Sequence, residues 1–466
     1  AALWAMSQYG SSFGLTLSNV LNGYGISRQG SHCTVGAHVS STRSRGGSSL
    51  WLAAGSPCQP AGAPPLASGV WRLRSSLAAP ETTVPATSAA AVRVDNATVL
   101  SPHGNDFAGA DSTSGGSSAP FNSWRWGMSV VHLGDLNGDG VPDVAVGSAN
   151  AYQASESRVT IVLMRPGGQV GSMRHLSLGD PLDAPGSTSD ADSLGHAGFH
   201  LGQSYAAVGD INHDGVPDLL LGGSGQSGAS PVIAMVLLLQ CTGEALDSWG
   251  IDEGSLGRGS TSDYSSGSNA YYTRSVRTHR HDGVRLASLG DFRPDGLVDV
   301  ALAHSGGQGD HAKVLLFSLD ASIRDVVTHP EIDAAAAVQP MDGSFGSSMA
   351  WLGERGGLGL LAVGAMTDGL DTGTPSSTSS DSDSGSIYVL RLIPSDLSLA
   401  GFETIHSYSA KLGPSGTGVT QLGWAMAAAD VDSDGVMELL VTARGSSRTP
   451  STLAILRLGE AGAVQH

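Results

Sequence analysis

Apolar residues along this chain come in short runs of about four to eight, and Gly, Ser and Asp bound nearly all of them. Runs of that length, with no sustained three-to-four-residue spacing, predict β-strands rather than amphipathic helices. Four stretches superimpose on one another: residues 126–164, 199–240, 284–319 and 424–458. Each opens with an apolar stretch ending near Leu-Gly or Ala-Ala and passes through an Asp/Asn-rich loop. It then enters an apolar run, at 144–147, 219–222, 300–303 and 439–442. A Gly/Ser-rich connection leads to a second run, at 159–164, 232–239, 314–317 and 453–456. A fifth copy, 345–392, keeps the strands but reads Glu354-Arg355-Gly356-Gly357 where the others carry acids. A weaker sixth copy spans 45–73, with strands expected at 50–55 and 69–73.

The copies recur at roughly 60–80 residues, too long for helical solenoids and longer than a WD40 unit. All-β units that cannot bury their faces alone are satisfied by radial stacking. The expected fold is therefore all-β, a β-propeller of four-stranded antiparallel blades, with seven blades preferred, partly on the resemblance given below, and six as the alternative. Residues 1–120 are expected to supply one or two degenerate blades, closing a single propeller with the better-marked blades of 121–466. The Ala/Ser/Thr/Gly-rich segment 79–118 reads as an insertion or long loop, and 367–386 as a solvated connection between strands.

Three of the loops share one spacing. They are Asp135-Leu136-Asn137-Gly138-Asp139-Gly140-Val141-Pro142-Asp143, Asp210-Ile211-Asn212-His213-Asp214-Gly215-Val216-Pro217-Asp218 and Asp430-Val431-Asp432-Ser433-Asp434-Gly435-Val436-Met437-Glu438. Ca²⁺ takes six to eight oxygens, and a tight loop turns side chains 1, 3 and 5 toward one point. Glycine at position 6 permits the sharp turn. The backbone carbonyl of position 7 (Val141, Val216, Val436) and the carboxylate at position 9 complete the expected shell. In an EF-hand the closing acid stands at position 12 and a helix follows, so this is a different device. Metal-free Asx-turns are the competing reading, but three or four acids in one loop repel one another unless a cation joins them. The third loop, Asp291-Phe292-Arg293-Pro294-Asp295-Gly296-Leu297-Val298-Asp299, places a cation at position 3. Either the Arg293 guanidinium replaces the ion, or it swings out and Asp291, Asp295, the Leu297 carbonyl and Asp299 still bind one. No ion is expected at Glu354.

The repeats resemble FG-GAP repeats, the blade unit of the integrin α-subunit head and related secreted propellers. The matching residues are Phe345-Gly346 and Trp126-Gly127 at the repeat start, the Asp loops, and Ala145-Val146-Gly147-Ser148 or Ala362-Val363-Gly364-Ala365 at the other end. Arg293, the acid-poor turn at Glu354, and Asp282-Gly283 in place of Phe-Gly depart from the pattern. The resemblance covers roughly residues 120–460 and implies an extracellular seven-bladed propeller with structural Ca²⁺ on the face opposite its ligand.

Composition narrows the partners. Charged residues make up 14% of the 466, net charge is −18, and only Lys313 and Lys411 are lysines. A nucleic-acid partner needs a basic face, and no run of Lys or Arg supplies one. The longest apolar run, 232–239, falls well short of the ~20 residues of a spanning helix. Cys33 and Cys58 are close enough in sequence to pair or to remain thiols, and Cys241 falls in an apolar strand-like run. Asn96-Ala97-Thr98 is a glycosylation sequon. Gly10-Ser11-Ser12-Phe13-Gly14 matches a nucleophile elbow, but that motif needs a strand–turn–helix. Neither His196/His200 nor His279/His281 offers the three or four convergent ligands of a zinc site. Trp124, Trp126, Trp351 and Trp424, near blade starts, are expected to pack between blades. The expected function is an extracellular or cell-surface, calcium-stabilised protein-binding or adhesion module without catalysis. Its expected ligand is an extracellular protein or glycan, met alone or within a larger surface assembly. The alternatives are a carbohydrate-binding propeller or a polysaccharide-processing enzyme on the same scaffold.

Overall fold

Strands form where the apolar runs lie, and each turns back on its predecessor through Gly-, Ser- or Asp-rich connections. The computed structural model describes residues 7–9, 12–16, 38–43, 49–56, 69–77, 92–100, 126–148, 158–166, 168–177, 199–225, 232–252, 256, 284–304, 313–329, 331–333, 344–366, 385–406, 421–431, 434–443, 452–459 and 462. Among these residues every regular element is a strand, and no helix is long and apolar enough to cross a membrane.

Two short strands come first, β1 (Ser7–Tyr9) and β2 (Ser12–Thr16). Five antiparallel meanders follow. The first is β3 (His38–Arg43), β4 (Ser49–Ser56), β5 (Gly69–Leu77) and β6 (Val92–Leu100). The second is β7 (Trp126–Gly134), β8 (Asp143–Ser148), β9 (Arg158–Arg165) and β10 (Gln169–Ser177). The third is β11 (Phe199–Gly209), β12 (Asp218–Gly225), β13 (Val232–Leu239) and β14 (Ala245–Asp252). The fourth is β15 (Val284–Gly290), β16 (Val298–His304), β17 (Lys313–Asp320) and β18 (Asp325–Thr328), with β19 (Ile332–Asp333) also pairing β17. The fifth is β20 (Phe345–Arg355), β21 (Leu358–Ala365), β22 (Ser386–Leu392) and β23 (Leu399–His406). Last come β24 (Leu422–Ala429), β25 (Glu438–Ala443) and β26 (Thr452–Leu456). Here β2 pairs with β26, Ser12 opposite Leu456, giving the order β1-β2-β26-β25-β24.

The blade count corrects the preference for seven blades: the described residues form six sheets. Five blades are each one continuous meander, and a closing sheet takes strands from two distant parts of the chain. Pairing between segments that far apart leaves no local signal of which strand closes that sheet. A second correction concerns 79–118: it contains β6, whose Val-Arg-Val-Asp start alternates as an edge strand does. Cys241 also differs from its expected place, since it lies exposed in the turn after β13. Asn96 lies on β6 opposite Arg74. Cys33, Cys58, Trp124, His196, His279, His281 and the turn of the Gly-x-Ser-x-Gly match fall outside the described residues.

The innermost strands β3, β7, β11, β15, β20 and β24 each lie beside the next, and β24 returns to β3. Apolar clusters fill the space between neighbouring sheets rather than one central core. One joins Phe317, Leu302 and Val284 to Leu220 and Trp249 across the third and fourth blades. Another joins Phe345 and Tyr388 to Val314 and Ala303 across the fourth and fifth. The tryptophans near blade starts take part: Trp126 is 1% exposed, and Trp351 meets Phe292 of the preceding blade edge-on at 4.9 Å between centroids. Blades also approach backbone to backbone. A Cβ on Gly364 would lie 2.5 Å from the Gly423 carbonyl, and one on Gly423, whose φ is +84°, only 3.1 Å from Gly364 Cα. The glycine ending one repeat unit thus faces the glycine opening the next, which explains why both positions are glycine.

Candidate metal centre

Each Asp loop joins the innermost strand of a blade to the second: β7 to β8, β11 to β12, β15 to β16 and β24 to β25. All four therefore emerge at the same end of the ring. In three of them a glycine of positive φ precedes the loop (Gly134 +89°, Gly209 +74°, Gly290 +67°) and makes a bulge before the pair Gly134–Asp143 or its equivalent. Before the last loop Ala429 pairs with Glu438 without that bulge. The extra methylene of Glu438 still brings Oε2 to the Val431 amide at 2.7 Å.

In the first loop the position-1 carboxylate accepts two amides, Asp139 N–H at 2.9 Å and Gly140 N–H at 2.8 Å. The Asn137 side-chain oxygen accepts the same Asp139 N–H at 3.0 Å. Two oxygens from positions 1 and 3 thus converge on one point. Asp139 Oδ1 accepts Val141 N–H at 2.9 Å. Asp143 is fully buried and holds the loop to the blade, accepting Leu136 N–H at 2.9 Å and Met164 N–H of β9 at 2.7 Å. The second loop repeats this arrangement. Asp210 accepts Asp214 N–H at 3.0 Å and Gly215 N–H at 2.8 Å, and Asn212 accepts Asp214 N–H at 3.1 Å. Asp214 accepts Val216 N–H at 2.8 Å, and Asp218 accepts Ile211 and Leu239 N–H at 3.1 and 3.0 Å. In the last loop Asp430 accepts Gly435 N–H at 3.2 Å and Asp434 accepts Val436 N–H at 2.8 Å, while Asp432 falls outside the described residues.

Burial raises the pKa of both Asp143 and Asp218 to about 6, against the lowering pull of the amides each accepts, with Asp139 or Asp214 and Asp210 adding negative charge nearby. A carboxylate in that position is short of positive charge. Among the described residues no group of three or more His, Cys, Asp or Glu is drawn tightly enough together to hold an ion as it stands. The donor set is all oxygen, carboxylate and amide carbonyl, which suits a hard cation.

In the third loop the guanidinium lies among the acids: Arg293 pairs with Asp295, and its Nε lies 3.6 Å from Asp299 Oδ1. Asp291 accepts Asp295 N–H at 3.0 Å, and Leu297 N–H donates to Asp295. Pro294 stands where the first two loops have Gly138 and His213 at φ +77° and +61°. Proline cannot adopt that conformation. Asp299 then accepts from Arg293 N–H at 2.8 Å and from Ser318 Oγ–H at 2.5 Å, and Ser318 Oγ contacts His329 Nε2 at 2.7 Å. At Glu354 the loop is replaced by a two-residue turn, Gly356-Gly357, with both φ positive as a tight hairpin turn demands. Arg355 beside it reaches the next blade, donating to the carbonyls of Leu458 and Met437.

Residues 126–162 match the FG-GAP repeat family. The FG-GAP match takes in β7, the first Asp loop, β8 and most of β9. Loop two, outside it, shares its hydrogen-bond pattern, and loop four shares the amides accepted by positions 1, 5 and 9. None of the curated proteins compared matches the chain. Among solved structures, the WD40 domain of SCAP from fission yeast is similar at 8% identity and a TM-score of 0.33, covering 94% of this chain and 76% of that one.

Two features escaped the sequence reading. Arg355 sits in a copy set aside for lacking acids. Arg285 stands six residues before Asp291, where the corresponding positions before Asp135, Asp210 and Glu354 hold Ser129, Ser204 and Ser348. Aligning that column would have revealed it.

Proposed function

We propose that this chain is a calcium-stabilised propeller acting as a protein-binding module in an extracellular setting, without chemistry of its own. The observation that carries the reading is the repetition of one oxygen-rich loop geometry at the same end of three blades. Asp135, Asn137, Asp139 and the Val141 carbonyl, with their counterparts in the second and last loops, would hold the ions. Asp143, Asp218 and Glu438 would complete each site while tying it to its blade. An ion there would cross-link the connection between the first two strands and offset the charge deficit at the buried acid. The third loop already contains its cation. The FG-GAP match supports the extracellular part of the reading, since repeats of that kind are typical of exported scaffolds.

The test is a thermal melt after exhaustive chelation, with calcium added back and bound metal counted. A folded-state ligand stabilises by RT ln(1 + [L]/Kd), about 2.7 kcal/mol per site at 100 times Kd. The expected result is a saturable rise in midpoint with three ions bound. An unchanged midpoint with no bound metal would leave the loops as metal-free turns and overturn the reading.

A further inference from the structure

The fifth blade has no Asp loop of its own, and the short turn in its place brings a positive charge to the loop of the next blade. Gly356-Gly357 reverses the chain in two residues, so β20 and β21 stay paired to their ends, Arg355 opposite Leu358. Arg355 therefore stands at the end of the ring from which the Asp loops emerge. Its guanidinium crosses the seam there. Nη1 donates to the Leu458 carbonyl at 2.5 Å, and Nη2 donates to the carbonyl of Met437, position 8 of the last loop. Burial disfavours the charge on this half-buried group, and Glu438 and Asp434, positions 9 and 5 of the same loop, favour it. An arginine stays charged in a protein, so a fixed cation lies beside two acids of the loop.

The buried acids of the first two loops lie in a different field. The charges acting on Asp143 and Asp218 are those of other acids: Asp139 on the first, Asp214 and Asp210 on the second. By sequence each of these loops holds three acids, and the last holds four, Asp430, Asp432, Asp434 and Glu438. Calcium affinity rises with the number of ligand charges, so the last loop by itself would rank as the tightest. Arg355 returns its net charge to that of the first two. Its hydrogen bonds among the described residues go to carbonyls, and neither is the Val436 carbonyl expected to face the ion. It opposes a cation by charge without taking a ligand's place.

Resting on the calcium reading above, we propose that Arg355 sets the affinity of the last loop from across the blade seam, holding calcium binding there below what its four carboxylates would give.

Calcium titration of the full chain, stripped by chelation and followed by competition with a chromophoric chelator, tests it. In Arg355→Gln one bound ion should tighten by about tenfold while the others keep their affinities. Adding Asp434→Asn should remove the tightened ion, which assigns it to the last loop. Arg355→Met, which keeps the apolar stem, is the second charge-free variant should the glutamine form not fold. Arg355→Lys keeps the charge and should stay within about twofold of wild type. If Arg355 were only a brace for the loop, its loss would weaken that ion instead. Unchanged or weaker binding in a folded Arg355→Gln or Arg355→Met protein, or tightening in Arg355→Lys equal to that in Arg355→Gln, overturns the proposal and leaves the calcium reading standing. Absence of bound calcium in wild type and variants alike overturns both.

Discussion

At the scale of single residues, the third loop differs from its sisters by one side chain. Arg293 pairs with Asp295 and approaches Asp299, so its guanidinium neutralises acids that in the first and second loops face only amides. Replacing Arg293 with Asn restores the side chain of the first two loops. Equilibrium dialysis should then find about one more calcium bound per chain, if charge rather than the Pro294 backbone excludes the ion. An unchanged stoichiometry assigns the exclusion to Pro294. His329 gives a second test. Burial chiefly, and the nearby Arg293 charge, lower its pKa from the ordinary 6.5, against the pull of Asp299 and Asp295. The unfolded chain therefore takes up that proton more readily. The histidine's contribution to stability is complete above pH 6.5 and is lost as pH falls through the lower folded value. Urea unfolding of wild type and His329→Asn should show the wild-type advantage shrinking between pH 7 and pH 5.

At the scale of strands and turns, glycines do unlike work. Gly209 has φ +74°, and a methyl placed on it would meet nothing within 4 Å, so Gly209→Ala should cost only the backbone strain, about 1–2 kcal/mol. Gly364→Ala drives a methyl onto the Gly423 carbonyl and the Ser348 hydroxyl of the blade seam, and should cost about 3 kcal/mol or more. Chemical denaturation of the two variants gives the comparison. The same contrast explains what could be read from the sequence. Inner strands are apolar on both faces and flanked by Asp or Gly, so β8, β13, β16 and β25 were legible as runs, and the Asp spacing located the loops. Outer strands lie half in solvent: β18 is exposed or half-buried throughout, and β23 buries only Ile405. Their polar residues erase the apolar run, which is why the fourth strand of each blade was not individually visible. Arg285 and Arg355 were hidden for another reason, because each acts on the neighbouring blade.

For the whole molecule, the seam between β2 and β26 decides how the ring is held. Residues 12–16 cover the otherwise open edge of β26 over its full length, Ser12 to Leu456 and Thr16 to Thr452. A chain lacking residues 1–16 should melt several degrees lower, and amide exchange should rise first at 452–456 while the fifth blade stays protected. Uniform loss of protection would instead mean that the ring stands or falls as one unit. The copies were legible one by one, but the seam was not, since it joins segments that share no period. The seam also sets an order in time. Synthesis delivers each of the five meanders whole, and neighbouring strands meet across short connections as they appear. Strand β2, made before the five meanders, waits for a partner roughly 440 residues downstream, a closure whose entropy cost grows with the span. Until then the molecule is an arc with two unmatched apolar flanks, and the interval before closure is when it is most exposed to binding another copy of itself instead.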